Sequence, residues 1–167
     1  AIIREAKARP DAPTWRAKVE HLPPLDVTDL RPAQITAIRG IENSLAAHQF
    51  DRSLVQMATG AGKTYTAVTA AYRLLKFGGF RRILFLVDRN NLAEQTIGEF
   101  QNYRAPGDGR RFTELYNVDK LTSAGMLGSS NVVVSTIQRV HAVLRGQEAP
   151  AGDDQNLDGY IPEAPIA

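Results

Sequence analysis

The run Thr59-Gly60-Ala61-Gly62-Lys63-Thr64 constrains this chain more than any other stretch of it. A short apolar strand candidate, Arg52 to Met57, precedes it, and a helical pattern from Lys63 to Phe77 follows. Glycines at two of six positions let the backbone turn tightly and aim successive N–H groups into one concavity. The helix behind them presents its unpaired N–H groups and positive dipole end to the same place. That combination holds a polyphosphate. Within it Lys63 is expected on the β- and γ-phosphates and the Thr64 hydroxyl on a magnesium ion, which makes these two the candidate catalytic residues. Thr59, Gly60, Ala61 and Gly62 complete the expected nucleotide-binding loop. The strict form of the pattern has glycine at position 57, where this chain carries Met57.

The surrounding elements alternate between two periods. Ala33 to Leu45 repeats apolar residues at three- and four-residue spacing, as an amphipathic helix does. Lys63 to Phe77 places Val68, Ala71, Tyr72 and Leu75 on one side and ends in Lys76 and Gly78-Gly79, a basic-then-glycine stop. Arg82 to Val87 contains a continuous apolar run, expected of a strand buried on both faces of a parallel sheet. Leu92 to Phe100 reads as a helix, Phe112 to Val118 as a weaker strand, Asn131 to Ser135 as a β-branched strand and Ile137 to Leu144 as a helix. Strands alternating with helices define a wound α/β sheet. The first thirty residues are broken by Pro10, Pro13, Pro23 and Pro24, and the last twenty read as a loop.

Composition removes several function classes. Of 167 residues 43% are hydrophobic, enough for a buried core. No apolar run approaches the ~20 residues of a membrane span. There is no cysteine, so neither a disulfide framework nor a thiolate metal site is available, and a cytoplasmic location is the default expectation. His21, His48 and His141 show no ligand spacing. A net charge of +2 neither favours nor excludes nucleic acid. Arg81-Arg82 and Arg110-Arg111 read as solvated pairs that could also touch phosphates. Glu5-Ala6-Lys7 imitates half of a nuclease site, but Arg4 interrupts the strand and no aspartate precedes it, so an ordinary charged segment is expected.

Several spaced segments, in order, give the chain a closer likeness. LVQMATGAGKT from Leu54, RILFLVDRNNLAEQT from Arg82, LRPAQITAI from Leu30, GRRFTELYNVDKLTS from Gly109 and VVVSTIQRV from Val132 together resemble the motor of type I restriction enzyme R subunits. Those subunits are built on the superfamily 2 helicase plan. The resemblance runs from about Leu22 to Gly146. It implies a three-layer P-loop NTPase (RecA-like) α/β domain with a mostly parallel sheet, truncated at its C-terminal side. Residues 1–29 then form an N-terminal linker, 30–146 the partial first motor domain and 147–167 a loop-like tail.

The same resemblance implies roles for matching positions. Gln34 falls where such motors recognise adenine; its primary amide can donate and accept together along the base edge. The aromatic neighbour usual in the family is Ala33 here. Asp88 to Gln95 matches a segment that touches the DNA backbone, with Arg89, Asn90 and Gln95 as contacts, against the alternative that Asn90 or Asn91 merely caps the helix. Ser135 to Arg139 matches a second such segment, with Thr136 and Arg139 as contacts. ATP and magnesium are the implied cofactors. Double-stranded DNA and the modification and specificity subunits of a type I complex are the implied partners, and no membrane is involved.

Hydrolysis also needs a carboxylate for the magnesium ion and an acid for the attacking water. Asp88 follows an apolar strand but is succeeded by Arg89, and Asp153-Asp154 have no strand before them. The resemblance implies that an Asp-Glu-x-His segment and a second motor domain lie beyond Ala167, so this piece should bind nucleotide weakly and not turn over ATP alone. The competing expectations are another superfamily 2 helicase or remodeller, a kinase or GTPase, and a non-catalytic nucleotide-binding module. Asn117-Val118-Asp119-Lys120 has the wrong order for a guanine motif.

Overall fold

Val132-Val133-Val134 is the most β-prone triplet of the chain, and it forms the centre of the sheet. In a computed structural model, which describes residues 14–47, 52–107, 109–122 and 126–146, strand β3 (Val132–Thr136) is buried along its whole length. Strands β1 (Ile83–Val87) and β2 (Val118–Lys120) flank it in the order β1-β3-β2, all parallel. The β1–β3 ladder runs from Ile83 opposite Val132 to Val87 opposite Thr136. The segments 1–13 and 147–167, with Glu5 and Lys7, the expected tail and Asp153-Asp154, lie outside the described residues, as does His48.

In chain order the helices are α1 (Trp15–Glu20), α2 (Pro32–Ala46), α3 (Lys63–Lys76), α4 (Asn90–Asn102), α5 (Phe112–Leu115), α6 (Met126–Ser129) and α7 (Ile137–Leu144). One sheet face packs against α3 and α4. Val68, Ala71, Tyr72 and Leu75 meet Ala93, Phe100, Phe112, Val132 and Val134 there. Phe100 is fully buried and stands edge-on to Phe85 and Phe112, at 5.8 and 4.8 Å between ring centres. Truncating such a side chain costs about 3–5 kcal/mol, so this ring fixes α4 on the sheet. On the opposite face Val140 and Val143 of α7 cover Val133 and Leu121. Helices on both faces give the three layers expected of the fold.

Four expectations change. Residues 52–58 form no strand, and Leu54 is 96% exposed. A strand exists only through its ladder, and no described strand lies beside this segment to bond it. Strand β1 is not buried on both faces: Leu84 and Leu86 are 44% and 46% exposed. They share a face with their partners Val133 and Ser135, but α7 covers β3 and stops short of β1. Phe112 to Val118 divides into a helical turn and the start of β2. The Arg111 N–H donates to Glu114 Oε2 at 3.3 Å, closing the turn and sending Phe112 into the core. Finally, the region before residue 30 contains α1, capped by Thr14, whose hydroxyl accepts the Ala17 N–H at 3.2 Å. Trp15 packs edge-on to Phe80 at 5.6 Å.

Candidate nucleotide-binding site

Gly60 and Gly62 both adopt the left-handed conformation, with φ of 77° and 82°. Only glycine does so without strain. The chain turns at Ala58–Ala61, where the Ala61 N–H donates to the Ala58 carbonyl at 3.2 Å, and Gly62 then starts α3. The Gly62 carbonyl accepts the Thr66 N–H and the Thr66 hydroxyl, each at 2.9 Å. The N–H groups of Lys63, Thr64 and Tyr65 have no carbonyl of their own helix behind them, the general condition of a first turn. An anion is the natural acceptor for them. Lys63 is exposed, and its ammonium folds back onto the Ala58 carbonyl at 3.3 Å. The half-buried Tyr65 phenol is pushed above its ordinary pKa, first by burial and then by the Asp29 and Glu99 carboxylates.

Helix α2 delivers a second group to the same place. Pro32 at its first turn is preset for a helix start. Gln34, only 5% exposed, sits at the third position. Its Oε1 accepts the Arg31 N–H at 2.8 Å, and its Nε2 donates to the Gly62 carbonyl at 3.4 Å. The expected base-reading amide and the expected phosphate loop are therefore in direct contact, although 28 residues separate them. The Arg31 guanidinium reaches the loop too, donating to the Gly60 carbonyl at 3.2 Å. No role was expected of Arg31. The signal available beforehand was its position three residues before Gln34 at a helix start, the spacing at which a side chain returns to the cap backbone.

The sheet brings the two expected DNA-contact segments together. Val87 and Thr136 are register partners at adjacent strand ends, so Asp88-Arg89-Asn90 and Thr136 to Arg139 leave the sheet side by side. Each leads straight into a helix, α4 and α7. Arg89 and Gln95 are exposed, and Asn90 and Arg139 are half-buried. Neither asparagine caps α4: its cap is Arg89, and Asn90 is its first residue. Thr136 is fully buried, and its hydroxyl accepts the Arg139 N–H at 3.3 Å as the cap of α7. Asp88 is exposed at the end of β1.

The residues present suit a nucleotide better than a free-standing metal. Loop and helix start supply N–H donors and one ammonium for phosphates, while the Thr64 hydroxyl is the one oxygen the loop motif offers to magnesium. No group of three or more metal-binding side chains occurs among the described residues. No described helix is long and apolar enough to cross a membrane.

A glycine loop leading into a helix on a parallel three-layer sheet defines a P-loop α/β domain, and the family it matches makes it one of the helicase type. The chain belongs to the family described as type III restriction enzyme, res subunit, whose model matches residues 28–160. Among its relatives is the type I restriction enzyme EcoKI endonuclease subunit of Escherichia coli K12, 38% identical over 116 residues. The EcoAI endonuclease subunit of Escherichia coli is 56% identical over 46 residues, and the SauCOLORF180P endonuclease subunit of Staphylococcus aureus COL is 27% identical over 117. The matches cover 70%, 28% and 70% of this chain. They span only 10%, 6% and 12% of those subunits, respectively.

Proposed function

We propose that this chain is the ATP-binding part of the motor in a type I restriction endonuclease R subunit, where ATP hydrolysis drives double-stranded DNA past the enzyme before cleavage. The observation that carries the reading is the contact between the Gln34 amide and the Gly62 carbonyl at 3.4 Å. A planar amide able to pair with adenine lies against a loop able to hold phosphates, so one nucleotide can engage both. Lys63 takes the β- and γ-phosphates. The Thr64 hydroxyl would help hold a magnesium ion, which would offset the phosphate charge, while Thr59 to Gly62 shape the cradle.

Residues 30–146 are the motor unit in this reading, with 14–29 laid against it. Arg89, Asn90, Gln95 and Arg139 grip the DNA backbone beside the paired starts of α4 and α7, and Thr136 holds the head of α7. Contacts of this kind read no sequence, which suits a motor that must move over any sequence. Base recognition then belongs to a specificity subunit, which joins the modification subunit as a partner in the cytoplasm. Hydrolysis also calls for acids that order the magnesium ion and the attacking water.

Titrating ATP and GTP against the chain, with Lys63→Ala as control, tests the reading. ATP is expected to bind in preference to GTP, and Lys63→Ala to abolish binding. A preference for GTP would sink the motor assignment, and unchanged binding by the variant would sink the loop assignment.

A further inference from the structure

We propose that Arg31 is a positioning residue of the phosphate loop, one that ties loop shape to the base-reading amide. The inference rests on the nucleotide-binding reading above. Two bonded paths leave this residue. In the first, the Arg31 guanidinium holds the Gly60 carbonyl at 3.2 Å. The N–H of the same peptide, on Ala61, points the other way and donates to the Ala58 carbonyl at 3.2 Å. That carbonyl is also where the Lys63 ammonium rests, at 3.3 Å. In the second, the Arg31 main-chain N–H fixes Gln34 Oε1 at 2.8 Å, which leaves Nε2 for the Gly62 carbonyl at 3.4 Å.

Both carbonyls belong to glycines in the left-handed region, the residues with most conformations to lose. The Gly62 carbonyl is already held by α3 through the Thr66 N–H and hydroxyl, with the Gln34 amide as a further donor. The Gly60 carbonyl lies outside the helix, and there the Arg31 guanidinium is the donor that fixes the peptide against turning its carbonyl into the concavity the N–H groups must line. An arginine side chain carries five N–H donors and no acceptor, so at this helix start it cannot cap α2 as serine or aspartate would. Its reach to Gly60 is what it can contribute.

The two paths separate in experiment, because Arg31→Ala deletes the guanidinium and keeps the main-chain N–H. With the chain as it stands, affinities for ATP, GTP and inorganic tripolyphosphate are compared by NMR titration. Arg31→Ala is expected to weaken all three by a common factor, roughly three- to tenfold, the worth of one hydrogen bond. The ATP-to-GTP ratio stays as in the parent chain, and Arg31→Lys recovers part of the loss. Gln34→Ala changes that ratio instead. Amide hydrogen exchange at Ala61 should quicken in Arg31→Ala without nucleotide present, a readout that needs no ligand. Weaker ATP with unchanged tripolyphosphate would mean that Arg31 touches the base, and would overturn the proposal; so would unchanged exchange at Ala61. If Lys63→Ala fails to weaken ATP, or the parent chain binds none of the three, the nucleotide reading falls and takes this inference with it.

Discussion

Arg73 of α3 and Glu42 of α2 form a buried ion pair, Nε to Oε1 at 2.6 Å, with side chains only 6% and 15% exposed. The same guanidinium donates through Nη2 to Glu42 Oε2 at 3.3 Å and to the Pro23 carbonyl at 2.7 Å. Three segments of chain thus meet on one side chain. The helix that begins at the loop is fixed to the helix that carries Gln34, so this pair ties together the two halves of the site from their far sides. Buried pairs add little net stability, because desolvation offsets attraction, but breaking one strands a charge. Arg73→Met is expected to destabilise the chain by about 3–5 kcal/mol. Arg73→Met with Glu42→Leu should recover most of that loss. Urea unfolding of the two variants checks this, and a double variant no better than the single would show that the Pro23 carbonyl, not the charge, needs Arg73.

The two glycines of the loop should respond differently to alanine. Both have positive φ, so each substitution carries strain of about 1–2 kcal/mol. A Cβ on Gly60 meets nothing within 4 Å. A Cβ on Gly62 would overlap Gln34 Nε2, which must then leave the loop. Gly60→Ala is therefore expected to lower stability and leave the ATP-to-GTP ratio alone, whereas Gly62→Ala lowers both. Equal ratios in the two variants would argue that Gln34 does not read the base.

Among the described residues strand β1 is an edge of the sheet, with Leu84 and Leu86 exposed on one face. Unpaired edges with apolar faces recruit other chains. At high concentration the isolated chain is expected to self-associate, and Leu84→Lys to reduce that association with little change in unfolding midpoint. Sedimentation velocity across a concentration series decides the matter; equal association by the variant would place the contact elsewhere.

What the sequence disclosed divides along a physical line. Helix α7 was legible to the residue, and so was the Val132–Val134 core of β3, because periodicity and β-branching are local properties. The glycine loop was legible for the same reason: its conformation is written into Gly60 and Gly62. Residues 52–57 and the outward face of β1 were not, because strand formation and burial depend on neighbours rather than on the segment itself. Leu54 and Leu84 look as apolar as Val133, yet no described element covers them fully. Glu114, an unremarked acid, turned an expected strand into a helical turn. Gln34 and Lys63 were candidates from the sequence alone, but the contact of Gln34 with Gly62 and of Arg31 with Gly60 across 29 positions came only from folding.

Burial pushes the Tyr103 phenol well above its ordinary pKa, against a lowering by the Thr69 side chain and with smaller upward contributions from Tyr65 and Tyr72. Its ring packs among Tyr65, Tyr72 and Phe112, and no hydrogen bond of good geometry reaches its buried hydroxyl from the described residues. The raised folded value means that the folded chain keeps this proton after the unfolded chain has lost it. By linkage, the contribution is fully present below about pH 10, the unfolded value, and is lost progressively as pH rises towards the folded one. Tyr103→Phe removes the titrating group and keeps the ring. It is expected to match the parent chain at pH 7 or to exceed it slightly, since an unpaired buried hydroxyl is a cost. Above pH 10 its stability should fall less steeply than the parent's. Urea unfolding midpoints at pH 7, 9, 10 and 11 measure the difference, and parallel decline of the two proteins would show that another group drives alkaline unfolding.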